Sequence, residues 1–228
     1  TYVFMANGGR ILYYDNSAAA AFIADTDCPT VVSHVTYLDR HVVAANKNTG
    51  NFYWSESNAP TNWLSSSWAH TEQNPDDLNF MDSKEGLLLI AGRKSIEPWT
   101  GRGDPVFAPI KSATIGTVII APDSMAWVGD TWAGVDENRK VSLIQGNKLV
   151  PISEPVDSDI SGLAGIIDAR GFCLNIGKDT FYVVNFPTGD KTYCWNLKEK
   201  NVSEWAMWNS TAGQWQEWPF NEYCFASG

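Results

Sequence analysis

The chain has 228 residues, of which 44% are hydrophobic and 18% are charged. This composition supplies enough apolar surface for a sizeable core and excludes an intrinsically disordered chain. The formal net charge of −10 excludes tight binding of nucleic acid through a broad basic patch, and the longest basic runs are Arg139–Lys140 and Lys198–Lys200. No apolar run approaches the roughly 20 residues of a membrane helix, so we expect no insertion into a membrane.

Strand signals recur along the chain, and no clean helical period accompanies them. Clusters of Gly, Pro, Asn, Asp and Ser interrupt the sequence roughly every 8–12 residues, which is typical of an all-β fold. The run Phe181–Val184 is apolar throughout and predicts a strand buried on both faces. Five hairpins are predicted in chain order, each given by its two strands: Tyr2–Ala6 with Arg10–Asp15, His41–Asn46 with Asn51–Ser55, Leu87–Ala91 with Ser95–Trp99, Val141–Gln145 with Leu149–Ile152, and Phe181–Phe186 with Lys191–Leu197.

The spacing of these hairpins indicates a structural repeat. Similar strands centre on Tyr14, Trp54, Trp99, Ile144 and Trp195, at intervals of 40, 45, 45 and 51 residues. A drifting period of about 40–50 residues with several strands per unit is the signature of β-propeller blades. A single blade would expose both faces of its sheet, and blades packed around an axis cover each other. The alternative is a β-sandwich of two sheets, which needs no period.

The order of many short motifs resembles the packaged-DNA stabilisation proteins of short-tailed bacteriophages, also called tail hub or nozzle proteins. The resemblance covers roughly residues 30–228, and extends more loosely from the first residue. The sequence departs from the family in the Trp-rich stretch Asn201–Trp218. No single motif is diagnostic. The motifs that carry the resemblance are Val35–Ala44, Gly50–Ser55, Trp63, Asp76–Phe80, Leu87–Gly92, Ser95–Gly101, Pro105–Phe107, Ile115–Thr117, Ser124–Gly129, Thr180–Lys191, Trp195 and Trp215–Trp218.

This resemblance implies an all-β propeller with about five blades in residues 1–228. The chain begins Thr1–Phe4 without Met and ends Tyr223–Gly228 in what reads as the start of a strand. We therefore expect one propeller domain that is a segment of a longer protein with six or seven blades, as in other family members.

The resemblance also implies structural work in the virion and no enzymatic activity. Such proteins assemble as rings, here expected to be hexamers, extend the DNA channel below the portal and stabilise packaged DNA. The expected partners are portal-adaptor proteins, tail needle or fibre proteins, and passing DNA that is bound without sequence specificity. Assembly is expected in the cytoplasm of the bacterial host.

Residues that could bind a metal or a cofactor are scattered, and we expect neither. The three histidines His34, His41 and His70 do not fall at metal-ligand spacing. The four cysteines form no Cys-x-x-Cys pair, so they are predicted to be buried thiols, with a Cys173–Cys194 pairing across one hairpin as the alternative. The acidic groups are predicted to be solvated turn residues: Asp76, Asp77 and Asp82, then Asp136 and Glu137, then Asp157 and Asp159.

One half-motif supports the alternative of a glycan-cleaving propeller. Gly129–Trp132 matches the end of the Asp box of sialidases, but Met125 and Trp127 occupy the upstream positions where that motif has Ser and Asp. A sialidase also needs three arginines that converge on one carboxylate. The six arginines give no sign of such a set, and no Gly-x-Ser-x-Gly elbow is present: Arg10, Arg40, Arg93, Arg102, Arg139 and Arg170.

Four tryptophans near the end of the chain are the candidate partner-docking residues, namely Trp205, Trp208, Trp215 and Trp218. Indole rings suit protein interfaces and also stack on sugars, so both a docking face and a glycan-binding face remain open. The structural alternative is a strand pair whose aromatic rings fill the gap between blades. A cellular propeller that serves as a platform for protein interactions is a further alternative function.

Overall fold

The computed structural model describes residues 2–16, 19–71, 77–101 and 106–217. The chain folds as two compact units, Thr1–Val118 and Ile119–Gly228, called here unit 1 and unit 2. Both units consist of antiparallel sheets whose strands follow one another in chain order. The only α-helix among these residues is α1, Asp157–Gly162.

Unit 1 contains one three-stranded and two four-stranded sheets. In each four-stranded sheet of this unit, the strands lie side by side in the order in which they occur along the chain. A short 3-10 helix, Lys111–Ala113, follows the last strand. The strands are β1 (Val3–Met5), β2 (Leu12–Tyr14) and β3 (Ala21–Phe22); β4 (Val32–Leu38), β5 (His41–Asn46), β6 (Asn51–Glu56) and β7 (Ala59–His70); and β8 (Phe80–Lys84), β9 (Leu87–Ala91), β10 (Ile96–Thr100) and β11 (Ala108–Pro109).

Unit 2 contains two four-stranded sheets followed by a two-stranded hairpin. A segment with a 3-10 helix, Glu154–Val156, and α1 connects the two sheets, and the 3-10 helix Pro187–Gly189 lies in a hairpin turn. The strands are β12 (Ile119–Val128), β13 (Thr131–Asp136), β14 (Val141–Gln145) and β15 (Lys148–Pro151); β16 (Arg170–Ile176), β17 (Asp179–Phe186), β18 (Lys191–Asn196) and β19 (Asn201–Glu204); and β20 (Ala206–Asn209) and β21 (Gln214–Glu217).

All five predicted hairpins are present, as β1–β2, β5–β6, β9–β10, β14–β15 and β17–β18. The predicted equivalence of the repeat centres is confirmed for four positions. Trp54, Trp99, Ile144 and Trp195 lie in the third strand of a four-stranded sheet, whereas Tyr14 lies in the second strand of the three-stranded sheet. The repeat is therefore a four-stranded meander, with a shorter sheet at its beginning.

Strand β5 shows why a two-sheet sandwich does not describe unit 1. Val42 and Ala44 point to one face and pack with Ile11 of the β1–β3 sheet region. Val43 and Ala45 point to the other face and join a cluster that includes residues of the β8–β11 sheet. Because successive side chains alternate across a strand, the middle sheet is covered on both faces by different sheets. This stacking of consecutive sheets is the packing expected of propeller blades.

The same burial on both faces holds for β17 in unit 2. Tyr182, Val184 and Phe186 belong to the large core cluster between the two sheets, while Val183 packs on the opposite face. The prediction that Phe181–Val184 forms a strand buried on both faces is confirmed for Tyr182–Val184, and Phe181 at the edge is half-buried. Within each unit the first strands of neighbouring four-stranded sheets contact each other, β4 with β8 and β12 with β16.

Buried serine hydroxyls satisfy backbone groups where the strands are irregular. In β6 the Ser55 Oγ accepts a hydrogen bond from the Val42 N–H at 3.0 Å, next to a shift in register with β7. In β12 the Ser124 Oγ accepts from the Val135 N–H at 2.8 Å and donates to the Ala121 carbonyl at 2.6 Å, across a bulge. Each hydroxyl thus gives a buried backbone N–H a partner in the core.

Candidate interaction surfaces

The histidines serve local strand contacts in the structure. His41 places Nδ1 2.6 Å from the Ser55 carbonyl oxygen, and His70 places Nδ1 2.8 Å from the Asn51 Oδ1. The His34 ring packs edge-on against the Phe80 ring, with the centroids 5.8 Å apart. Among the residues that the structure describes, no group of three His, Cys, Asp or Glu side chains could hold a metal ion.

The three cysteines of the described part of the chain are free thiols in the core. Pairing of Cys173 with Cys194 is wrong, because β17 lies between their strands and the two thiols belong to clusters on opposite faces of one sheet. Burial raises the pKa of the Cys194 thiol and of the Cys28 thiol to about 12, so both stay protonated and unreactive at neutral pH. Cys224 lies outside the described residues.

The prediction of solvated acidic turns is wrong for Asp136, which is only 3% exposed. Its carboxylate accepts hydrogen bonds from the Asn138 N–H at 2.8 Å, the Lys140 N–H at 3.1 Å and the Ser142 hydroxyl at 2.8 Å. These bonds close the β13–β14 turn, so the side chain does cap a hairpin, but from within the core. Sequence spacing alone does not distinguish a turn carboxylate that points outward from one that folds back beneath its own turn.

The other acidic groups also make local contacts. The hydroxyl of Ser153 and the ammonium of Lys140 lower the pKa of the Asp157 carboxyl. The Lys140 Nζ lies 2.9 Å from Asp157 Oδ2. Asp77 pairs with Arg93 at 3.5 Å, whereas Asp76 lies outside the described residues. Asp157 and Asp77 therefore each form an ion pair within the chain.

The half Asp box forms the β12–β13 turn. Gly129 adopts a φ of 64°, a conformation that favours glycine, and Trp132 is buried with its ring edge-on to the Trp127 ring at 4.4 Å. The sequence of this motif is therefore explained by a tight turn followed by an inward-facing indole. Arg102, one of the six arginines, lies outside the described residues.

The predicted cluster of four tryptophans divides into different environments. Trp208 and Trp215 face each other across the β20–β21 hairpin, with ring centroids 5.4 Å apart, and are 51% and 65% exposed. Trp205 is half-buried and packs against the small cluster of Phe172, Val183 and Cys194. Trp205 thus contributes to a small hydrophobic cluster, while Trp208 and Trp215 form an exposed aromatic pair. Trp218 lies outside the described residues.

A cleft of about 690 Å³ lies at the turns of the two four-stranded sheets of unit 2. Four hairpin turns contribute to it: β12–β13, β14–β15, β16–β17 and β18–β19. Its cationic lining residues are Lys178, Lys198 and Lys200. Sequence reasoning recognised only the short run Lys198–Lys200, because the pairing of strands that brings Lys178 to the same cleft cannot be read from local charge.

No curated protein matches the chain significantly. Among solved structures, the dihydro-heme d1 dehydrogenase NirN superposes with a TM-score of 0.60 and 13% identity, over 89% of this chain and 44% of its own. The extracellular domain of the hybrid two-component system BT4673 from B. thetaiotaomicron gives 0.54 and 10% identity, over 89% of this chain and 29% of its own. The AfRom2 CNH domain gives 0.50 and 12% identity, over 90% of this chain and 69% of its own. At these identities the likeness concerns the fold alone.

A protein-family model described as bacteriophage P22 Gp10, β-propeller, matches residues 1–228. The match covers the whole chain and agrees with the stacked meanders, so the predicted all-β propeller fold and the predicted family are both confirmed. The family is one of phage stabilisation proteins. The chain therefore belongs to the phage stabilisation family represented by Gp10 of bacteriophage P22.

Proposed function

We propose that the protein is a hub or nozzle component of a phage tail, which extends the DNA channel below the portal, holds packaged DNA and gives other tail parts a platform. The observation that carries this proposal is the match of the family model to residues 1–228. In this proposal the protein acts by shape and assembly in the virion, without a catalytic step, after assembly in the host cytoplasm.

The packing of the sheets supports a mechanical role in the tail. Consecutive meanders bury large side chains on both faces, including Trp99, Tyr182 and Phe186. Closely packed interiors of this kind resist compression and transmit strain. The turns that join the strands lie at the surface and can differ without disturbing the sheets, which suits a platform for several partners.

The exposed pair Trp208–Trp215 supports docking to another protein. Aromatic residues are enriched in interfaces, where they supply large contact areas at a small entropic cost. A ring needs a heterologous interface on every copy. We assign this pair to docking within the tail, either to a neighbouring copy in the expected hexameric ring or to a portal-adaptor, needle or fibre protein.

The overall charge supports passage of DNA without tight binding. A net charge of −10 repels the phosphate backbone at long range, and contacts confined to phosphates carry no sequence information. No helix among the described residues is long and apolar enough to cross a membrane.

A glycan-binding role is the second candidate, and the observation that favours it is the same exposed pair of indole rings, since such rings also stack on sugars. A glycan array separates the two candidates, because a tail hub without receptor function binds no glycan. The cellular interaction platform receives no support from a match to a phage family.

The assembly experiment tests the proposal directly. The purified protein is mixed with the portal-adaptor complex of its phage and examined by sedimentation and negative-stain electron microscopy. We expect rings of the protein attached to the adaptor. Replacing Trp208 and Trp215 together with alanine should weaken this assembly at least tenfold, because hot-spot aromatics often contribute about 2 kcal/mol or more each.

Trp68→Ala is the matched control, since Trp68 is an exposed indole, 47% accessible, on a strand of unit 1. This control should assemble as the unmodified protein does. A protein that neither forms rings nor binds the adaptor would contradict the hub proposal, and equal losses in both variants would contradict the assignment of the docking pair.

A further inference from the structure

The cleft at the turns of unit 2 gathers positive charge in an acidic protein. Lys178 comes from the β16–β17 turn, and Lys198 and Lys200 come from the β18–β19 turn. One acidic side chain, Asp130, is among the residues that line the cleft. Like charges lining a concave surface focus the field there, so the local potential can differ in sign from that of the whole molecule.

Two of these lysines are available to a ligand. Lys198 Nζ lies 2.9 Å from Asp179 Oδ1, which neutralises it in part. Lys178 and Lys200 are exposed, and neither forms an ion pair with any residue in the described part of the chain. A pair of free ammonium groups from separate turns, held at one cleft by the pairing of strands, is suited to bridge a repeating anion.

The backbone at the cleft is also accessible. Gly129 and Gly146 line the cleft with φ values of 64° and 63°, and a Cβ placed on either residue would meet no atom within 4 Å. Because glycine has no side chain, these turns allow a large anionic group to approach the main chain closely. A phosphate backbone can therefore enter the cleft without steric hindrance from these turns, and the lysines there carry the opposite charge.

The loops at the other end of unit 2, away from the cleft, carry an excess of negative charge. Asp168 accepts two hydrogen bonds from Thr188, and Asp157 pairs with Lys140, in the loops at that end. Acidic side chains outnumber basic ones in these loops, which include Glu137, Glu154 and Asp159. A polyanion therefore has one favoured approach to unit 2, at the turns that carry Lys178 and Lys200.

We infer that this cleft is a contact site for the DNA backbone, in which Lys178 and Lys200, assisted by Lys198, bind phosphates without reading the sequence. The inference rests on the proposed function, because it names the residues with which a DNA-stabilising tail component touches its cargo. Two or three phosphate contacts per copy give weak, salt-dependent binding. Several copies in a ring would contact the same DNA at once, which raises the total affinity. The ring as a whole thus retains the DNA, while each single lysine–phosphate contact dissociates easily.

Fluorescence anisotropy with short DNA duplexes of mixed sequence, titrated over a potassium chloride series, tests the inference. We expect the unmodified protein to bind at low salt with similar affinity for unrelated sequences. In the double variant Lys178→Gln, Lys200→Gln, the slope of log affinity against log salt should fall by about two, one for each phosphate contact removed. The matched control is Lys84→Gln with Lys94→Gln, two exposed lysines of unit 1.

The inference is overturned if the unmodified protein binds no duplex at low salt, or if both double variants lose affinity equally. It is also overturned if polyglutamate of matched charge binds the cleft more tightly than the duplex does, since the cleft would then serve an acidic protein segment. Assembly of the cleft variant on the portal-adaptor complex is measured in parallel. Unchanged assembly with unchanged DNA binding rejects only the cleft, whereas loss of assembly by the unmodified protein rejects the hub proposal.

Discussion

Replacing Gly171 with alanine is expected to destabilise unit 2 by about 3 kcal/mol, at the upper end of what overpacking a core costs. Gly171 lies in β16, where this strand passes β12. A Cβ at this position would stand 2.0 Å from the Ser124 carbonyl oxygen and 2.8 Å from the Tyr182 hydroxyl oxygen. The carbonyl belongs to the main chain of a bulge, so it cannot turn aside as a flexible side chain would.

The clash also breaks a buried hydrogen bond. The Tyr182 hydroxyl donates to the Ser124 carbonyl at 2.6 Å, and the tyrosine is fully buried. If the strands separate to admit the methyl group, both partners lose this bond in a place that water does not reach. The contact between the first strands of neighbouring sheets therefore depends on the absence of a side chain at one position.

Urea denaturation with hydrogen exchange of the β12 and β16 amides measures the effect. Gly162→Ala is the matched control, because a Cβ there would meet no atom within 4 Å and Gly162 ends α1 at the surface. The control should change the free energy of unfolding by less than about 0.5 kcal/mol. A similarly small effect of Gly171→Ala would mean that β12 and β16 do not approach each other as described.

Truncating Trp99 to alanine is expected to cost unit 1 about 3–5 kcal/mol, the range for large buried aromatics. Trp99 is 2% exposed and meets the Phe52 ring edge-on at a centroid distance of 5.0 Å. Phe52 and Trp99 belong to the cluster that fills the space between the β4–β7 and β8–β11 sheets. Removing the indole leaves a cavity where two blades meet, and the sheets cannot collapse into it without losing their register.

Two variants make this result specific. The Trp99 Nε1 is buried and has no hydrogen-bond partner among the described residues, so Trp99→Phe removes an unsatisfied donor and should cost less than the alanine variant. Trp208→Ala removes an exposed indole and should cost less than about 1 kcal/mol. Equal losses from Trp99→Ala and Trp208→Ala in thermal unfolding would contradict the assignment of Trp99 to the core between blades.

Local sequence predicts the strands well because turn residues and apolar alternation act over a few residues. Asn7–Gly9 and Gly146–Asn147 mark hairpins whatever the rest of the chain does. The period of the third strands likewise predicts repeated meanders. The place of Tyr14 in the second strand of a shorter sheet is not predictable in this way, because the number of strands in a sheet depends on pairing and not on spacing.

The interaction surfaces are less predictable, since they depend on which distant residues meet. Trp205 and Trp208 are three residues apart, yet one packs into a core cluster and the other is exposed. Lys178 and Lys200 lie in turns of two different hairpins and meet at one cleft only after β16–β19 have formed. Asp136 resembles any turn carboxylate in sequence and is nevertheless buried by the turn that it closes.

Retention of packaged DNA by filled phage heads tests the central claim most directly. Heads that lack this protein are isolated after packaging, incubated with or without the purified protein, and treated with nuclease. We predict that adding the protein preserves the full-length packaged genome, and that heads without it lose DNA to the nuclease. Equal loss of DNA in the presence and absence of the protein, with the protein demonstrably bound to the heads, would contradict the role in stabilising packaged DNA.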